Sequence, residues 1–549
     1  MVEQIKEFGP GTVSWLLALC NNCTDSARIP KPWRKAKVVA LLKPGKPASE
    51  TKSYRPISLL CHTYKLFERL ILNRLTSEIE PKLIPEQAGY RPGKSCTSQT
   101  LNLTQSIEDG FETGKVTGVV FVDLSAAYDT VNIKRLLVKV GALTNDNNFV
   151  KLLSEMLHNR RFQVCINSEK SRWRSQRNGL PQGSVLAPTL FNIYTNDQPR
   201  DAGTARFLYA DDLALASQAA TFEEVEGTLT AALRKLGDYY SQNALRPNPS
   251  KTQSCAFHLR NHQANRELDI TWEGVKIQHC SSPKYLGVTL DRSLTYKTHC
   301  QITKKKVSSR NNLLRRLTST SWGASPQVLR TSSLALCFSA AEYACPIWAR
   351  SAHAREVDVA LNDTVRIVTG CLKPTPLHKL YSLAGIAPPS IRRKVACSVE
   401  KAKQECDSRH PLYSHTAAPY RLKSRKAFLN SEVSLTDENP QNARLRLWEE
   451  KQPQDPFLPL EEKLAPGNSL PWHIWKTLNR LRAEVGCCKD NLCKWGYTVG
   501  TNLCDCGIAP QTMEHLLSCP LCPSTCTRED LLQANQNAIK VASFWSGQI

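Results

Sequence analysis

The chain has 549 residues, too many for one hydrophobic core, so several subdomains are expected. With 72 Lys and Arg against 49 Asp and Glu, the formal net charge is +23, which fits a polyanionic partner and says nothing of fold. The 21 cysteines lack disulfide-type spacing over most of the chain, no cleavable leader is recognisable, and no uncharged apolar run of membrane length occurs, since Leu334 to Trp348 is broken by Glu342 and Pro346. A disulfide-built secreted scaffold and a membrane protein are thereby set aside, and the cysteines read as reduced, inside a cell.

Residues 1–29 carry little signal. From Pro30 to Pro47 the chain is basic and extended, with Lys31, Arg34, Lys35, Lys37, Lys43 and Lys46 punctuated by prolines. Tyr54-Arg55-Pro56-Ile57-Ser58-Leu59-Leu60 follows. Leu66, Phe67, Leu70, Ile71 and Leu75 then recur at helical spacing until Pro81, and Pro85 to Gly93 is a Gly/Pro loop.

Thr117-Gly118-Val119-Val120-Phe121-Val122 predicts a buried strand that ends in Asp123 and gives way to the helix-like Leu124 to Asp129. Asn178 to Ser184 is a Gly/Pro turn leading into a helix from Val185 to Tyr194. Phe207-Leu208-Tyr209-Ala210-Asp211-Asp212-Leu213-Ala214-Leu215 reads as strand, turn, strand. Adjacent carboxylates in an apolar setting repel each other unless a cation lies between them, and a hard divalent ion, Mg²⁺ above all, suits oxygen ligands. A strand-end Asp123 beside a hairpin Asp211-Asp212 makes a three-carboxylate cradle for two metals, the arrangement that clamps both oxygens of an in-line phosphoryl transfer.

Thr221 to Glu224 has capping-box spacing, and Val225, Leu229, Leu233 and Leu236 line one helix face after it. Pro247 to Thr252 is a turn carrying Lys251. Pro283 to Val288 reads as a tight reversal at Gly287. Lys304, Lys305, Lys306, Arg310, Arg315 and Arg316 alternate with Val307, Leu313, Leu314 and Leu317. That pattern fits a helix with one face on the core and one on a phosphate backbone, or else a solvated charge run. Residues 401–470 are polar and dotted with Pro411, Pro419, Pro440, Pro453, Pro456, Pro459 and Pro466, which predicts a poorly packed connector. Order returns with Trp472, Trp475 and Leu478. Cys504 and Cys506, then His515 after eight residues and Cys519 after three more, offer three thiolates and an imidazole, a set suited to a structural tetrahedral Zn²⁺. Cys487, Cys488, Cys493, Cys522 and Cys526 crowd nearby and leave room for one ligand to be exchanged.

The order and wording of the segments around Asp123, Pro181-Gln182-Gly183 and Tyr209 to Asp212 resemble the palm of a reverse transcriptase. They are most similar to the non-LTR, LINE-type retrotransposon enzymes of the jockey-like group, strongly over Pro30 to Gly370 and moderately over Cys504 to Cys519. The resemblance implies an α+β right-hand polymerase. Its parts are an N-terminal extension (1–29), fingers (30–115), palm (116–290, with the reverse-transcriptase domain at about 30–290), thumb and helical region (291–400), connector (401–470) and a C-terminal zinc-knuckle region (471–549). It implies that Asp123, Asp211 and Asp212 hold two Mg²⁺ ions, and that Gln182 and Gly183 line the template and nucleotide pocket. Tyr128 would face the nucleotide sugar, and Arg55 and Lys65 would close on the triphosphate. Lys251 would protonate pyrophosphate, unless it is a plain turn lysine. Pro283 to Val288 would hold the primer end, and Cys504, Cys506, His515 and Cys519 would form the knuckle, whose last gap is one shorter than the commonest form. The implied partners are an RNA template, a DNA primer and deoxynucleoside triphosphates, with no membrane, in a nuclear or cytoplasmic ribonucleoprotein. No endonuclease is expected ahead of the polymerase, and no RNase H carboxylate set is recognisable. A catalytically inactive nucleic-acid-binding remnant is the alternative, while a viral RNA-dependent RNA polymerase more often carries Gly-Asp-Asp in its hairpin.

Overall fold

The structure is a computed structural model and describes residues 2–318, 323–419, 421–422, 427–435, 438–451, 458–497 and 500–549. The chain forms two compact units, Met1–Gly287 with Asp407–Arg425, and Val288–Cys406 with Lys426–Ile549. No helix among the described residues is long and apolar enough to cross a membrane.

The first unit is built on two sheets, with strands β1 (Lys35–Leu42), β2 (Tyr54–Leu59), β3 (Val116–Val122), β4 (Arg160–Ile166), β5 (Glu169–Lys170), β6 (Arg174–Gln176), β7 (Thr204–Tyr209), β8 (Asp212–Ala219) and β9 (Gln253–Phe257). One sheet runs β2-β1-β4-β5, with β6 also on β4; the other runs from a short strand at Gln278–His279 through β9, β3 and β8 to β7 at the edge. β3 is buried at every position but Phe121. Cover on both faces explains its unbroken apolar run. The helix Phe222–Gln242 starts at the reciprocal Thr221–Glu224 cap and buries Val225, Leu229, Leu233 and Leu236, the face expected from its spacing.

The helix His62–Ile79 departs from expectation. Phe67, Ile71 and Leu75 are buried, but so is Glu68, while Leu70 is 42% exposed. The buried stripe is displaced because Glu68 turns inward to accept hydrogen bonds from Ser184 Oγ (2.5 Å) and the Val185 amide (3.0 Å). Lys284–Tyr285 is a short strand, and Leu286 and Gly287 both take positive φ in the reversal after it.

The returning segment Asp407–Arg425 is tied to the end of the helix Cys96–Glu112. His415 Nε2 lies 2.6 Å from Asp109 Oδ2, the Ala418 amide donates to Asp109 Oδ1 at 3.1 Å, and the Arg421 and Leu422 amides donate to Glu112 Oε2 at 2.7 and 2.9 Å.

The second unit is helical. Its helix Lys297–Arg316 buries Val307 and Leu314 and exposes Lys304, Lys305, Lys306, Arg315 and Arg316. Two expectations fail there: Leu313 is 50% exposed, and Arg310 is turned from the cationic face to donate to the Leu336 carbonyl. Residues 401–470 are also better packed than their composition predicted. The helix Pro389–Cys406 runs into the segment, Leu412 and Phe428 are buried, and the helix Pro440–Glu449 buries Leu447 and Trp448. Pro440 stands in the first helical turn after an Asn439 cap, a place that tolerates proline, so it starts order instead of breaking it. Pro453 and Pro456 lie outside the described residues. Trp475, in the helix Trp472–Ala483, is fully buried and donates its indole N–H to the Val368 carbonyl at 3.1 Å.

Candidate active site and metal centres

Three carboxylates meet at one end of the β3–β8 pair. The antiparallel register sets Val122 against Leu213, so Asp123 follows the last pair directly across from Asp212, the first residue of β8. Tyr209 pairs with Asp212 across the hairpin, which leaves Ala210 and Asp211 as its two-residue tip. A turn from the next strand connection props Asp123 from behind. The Asp123 amide donates to Thr252 Oγ1 at 3.2 Å, its carbonyl accepts from the Asn248 amide at 2.9 Å, and the Ser125 amide donates to the Arg246 carbonyl at 2.8 Å. Lys251 belongs to that turn and its side chain is exposed.

The electrostatics are those of anions short of a counter-ion. Loss of hydration, followed by the charges of Asp211 and Asp123, pushes Asp212 up to about 6. Asp211 is raised by burial and by Asp123. An all-oxygen, anionic donor set of this kind fits Mg²⁺.

Tyr128 lies beside the carboxylates. Its ring stacks on Phe191 at 4.7 Å and 17°, its buried hydroxyl has no hydrogen-bond partner among the described residues, and Tyr90 and Asp211 act on it electrostatically. Gln182 and Gly183 are held between β2 and the Tyr128–Val131 segment. The Leu180 amide donates to the Tyr128 carbonyl and the Ser58 amide to the Gln182 carbonyl, at 2.8 and 2.7 Å, while the Gln182 side chain bonds Asp129. Gly183 sits at φ 118, and a Cβ there would lie 2.6 Å from the Ser58 carbonyl oxygen, so the turn needs glycine for both backbone and space. Arg55 is exposed on β2, opposite Leu41. Lys65 acts on buried Glu68. Among the described residues neither is hydrogen-bonded or ion-paired to the three aspartates. In the sequence Glu68 shows only as an acidic residue inside the apolar stripe of a helix; its role is set by Ser184 and Val185, far along the chain.

In the second unit Cys504 Sγ and Cys519 Sγ lie 3.7 Å apart, and Cys506 Sγ is 3.3 Å from His515 Nε2. The Ile508 amide beside Cys506 draws its thiol down to about 7. Cys504 and Cys519 belong to an apolar cluster with Leu478, Leu516, Val541 and Trp545. The compact S₃N set fits zinc.

Residues 41–290 match the family described as reverse transcriptase (RNA-dependent DNA polymerase). A probable RNA-directed DNA polymerase from transposon BS of Drosophila melanogaster is 32% identical over 454 residues, covering 77% of this chain and 48% of that protein. The RNA-directed DNA polymerase from mobile element jockey of Drosophila funebris is 32% identical over 296 residues, covering 52% of this chain and 32% of that protein. The chain thus spans about half the length of the first relative and about a third of the second. Telomerase from Candida tropicalis aligns over 75% of each chain at 10% identity with a TM-score of 0.34, too loose a likeness to bear on the fold.

Proposed function

We propose that the chain, through residues 41–290, works as the reverse transcriptases of non-LTR retrotransposons do and extends a primer 3′-hydroxyl with deoxynucleotides on an RNA template, a reading supported by the family match and the relatives it resembles. The observation that carries the reading is the register placing Asp123 across from Asp212, with Asp212 pushed up to about 6 by burial and by the charges of Asp211 and Asp123. Asp123, Asp211 and Asp212 would hold two Mg²⁺ ions, which when bound would neutralise charge at the attacking hydroxyl and the leaving pyrophosphate.

The chain's own side chains do the rest. Gln182 and Gly183 line the template and nucleotide pocket, and the Tyr128 ring, braced on Phe191, faces the sugar. Arg55 and Lys65 attract the triphosphate, and Lys251 donates a proton to the departing pyrophosphate. The exposed lysines of Lys297–Arg316 bind nucleic-acid phosphates, as a thumb would. Cys504, Cys506, His515 and Cys519 hold a structural zinc that fastens the C-terminal segment. The setting is a ribonucleoprotein in nucleus or cytoplasm.

Primer extension on RNA and DNA templates tests the reading. Asp123→Asn and Asp211→Asn are expected to abolish nucleotide addition and to leave template affinity nearly unchanged, since the carboxylates hold metal and other surfaces hold phosphate. Normal extension by Asp211→Asn would overturn the assignment.

A further inference from the structure

β7 is the edge strand of its sheet, so one row of its backbone groups has no neighbouring strand. The loop from residue 84 to 93 covers that row. The Leu208 amide donates to the Glu86 carbonyl at 3.3 Å, and the Leu208 carbonyl accepts from the Ala88 amide at 2.9 Å and from Gln99 Nε2 at 3.2 Å. The Gln87 side chain, 2% exposed, continues the cover around the hairpin tip. Its Oε1 accepts from the amides of Ala210 (2.8 Å) and Gly89 (2.9 Å), and its Nε2 donates to the Ala210 carbonyl at 3.3 Å. Both polar groups of Ala210 are therefore held by one buried amide.

Ala210 needs holding, because at φ 56 it occupies the left-handed region that alanine rarely adopts. Gly89 presses on the same place from the loop side, where an added Cβ would lie 2.3 Å from the Ala210 nitrogen. The next two residues after Ala210 are Asp211 and Asp212. Gln87 touches neither carboxylate, yet it fixes the backbone from which both project.

We infer that Gln87 is a positioning residue for nucleotide addition, seated on Gly89, whose side-chain amide holds the hairpin tip so that Asp211 and Asp212 stand in register with Asp123. The inference rests on the reading of the three aspartates as the catalytic centre.

The test uses the full chain with two separate substitutions. Gln87→Leu removes the amide at similar size. Gly89→Ala leaves the amide in place and pushes on the tip instead; Gly89 has no positive φ, so the change adds a clash without backbone strain. Amide hydrogen exchange is followed in the metal-free protein across residues 205–215, with residues 222–242 as reference. Primer-extension kinetics are measured in parallel. Both variants are expected to speed exchange at the tip at least about tenfold over the reference helix. Both should lower kcat by about ten- to a hundredfold, with nucleotide KM and template affinity within about twofold, since small displacements of reacting groups cost that much.

Wild-type exchange at the tip in both variants would overturn the inference. So would a lowered Tm with kcat intact, which is the outcome of a merely structural role. If Gln87→Leu does not fold, Gly89→Ala carries the same two readouts. A wild-type protein that extends no primer would instead count against the polymerase reading, and the exchange measurement would then judge the tip contact alone.

Discussion

Tyr128 is where the choice between deoxyribose and ribose would be made. Its ring stacks on Phe191, and among the described residues its buried hydroxyl has no partner to draw it elsewhere. A braced ring facing the sugar collides with a 2′-hydroxyl, the group by which proteins tell RNA from DNA. Tyr128→Val is expected to keep deoxynucleotide incorporation and to raise ribonucleotide incorporation on the order of a hundredfold. The measurement is the ratio of incorporation efficiencies for matched nucleotides, and parental discrimination by the variant would remove Tyr128 from this role. Asp212 supports a second prediction, in which the sign matters. Its folded-state value of about 6 lies above the ordinary 3.8. The folded protein therefore takes up the extra proton first as pH falls. The stability this group contributes is present below about pH 4 and lost as pH rises through 6. In metal-free buffer Asp212→Asn should raise Tm at about pH 7.5 and leave it nearly unchanged near pH 4, because only the charged form is penalised. Equal melting temperatures for parent and variant at the higher pH would contradict the proposed repulsion.

At the level of elements, the C-terminal Cys/His group is the feature whose removal should stay local. Its four ligand atoms lie within 4.8 Å of one another, and Cys504 and Cys519 sit in an apolar cluster of their own unit. Zinc supplies about 10 kcal/mol or more of folding energy in small peptides of this kind. Cys506→Ser and His515→Ala are expected to lower bound zinc and to loosen residues 500–526 by hydrogen exchange, while extension on short primed templates survives. Metal analysis that finds no zinc in the parent protein would sink the site. Elements like these were legible because their signals are local. The strand ending in Asp123, the Thr221 cap and the Asp-Asp hairpin all announce themselves within a dozen residues. What escaped depends on distant partners. Glu68 reads as a polar flaw in an apolar stripe until Ser184 is seen beside it, and Gln87 reads as loop polarity until Ala210 is. The order within residues 401–470 escaped for another reason, because proline was counted as a breaker at Pro440, where it opens a helix.

Over the whole molecule, charge and connectivity outweigh composition. The net charge of +23 is no property of the carboxylate site; on Lys297–Arg316 it is displayed as an exposed run from Lys304 to Lys306. The path of the chain is the less expected feature. It leaves the first unit after Gly287, returns to it at Asp407 and leaves again after Arg425. The returning segment supplies the two backbone amides that pair with Glu112, a carboxylate only 8% exposed, and the Ala418 amide and His415 ring that pair with Asp109. A ribosome making this protein therefore emits every strand of the reverse-transcriptase domain long before the donors that neutralise the end of the helix Cys96–Glu112. Domains generally fold as units during synthesis, N-terminal first. Here about 120 residues of the second unit, from Val288 to Cys406, emerge between the two parts of the first, so Asp109 and Glu112 wait through that interval for a segment not yet made.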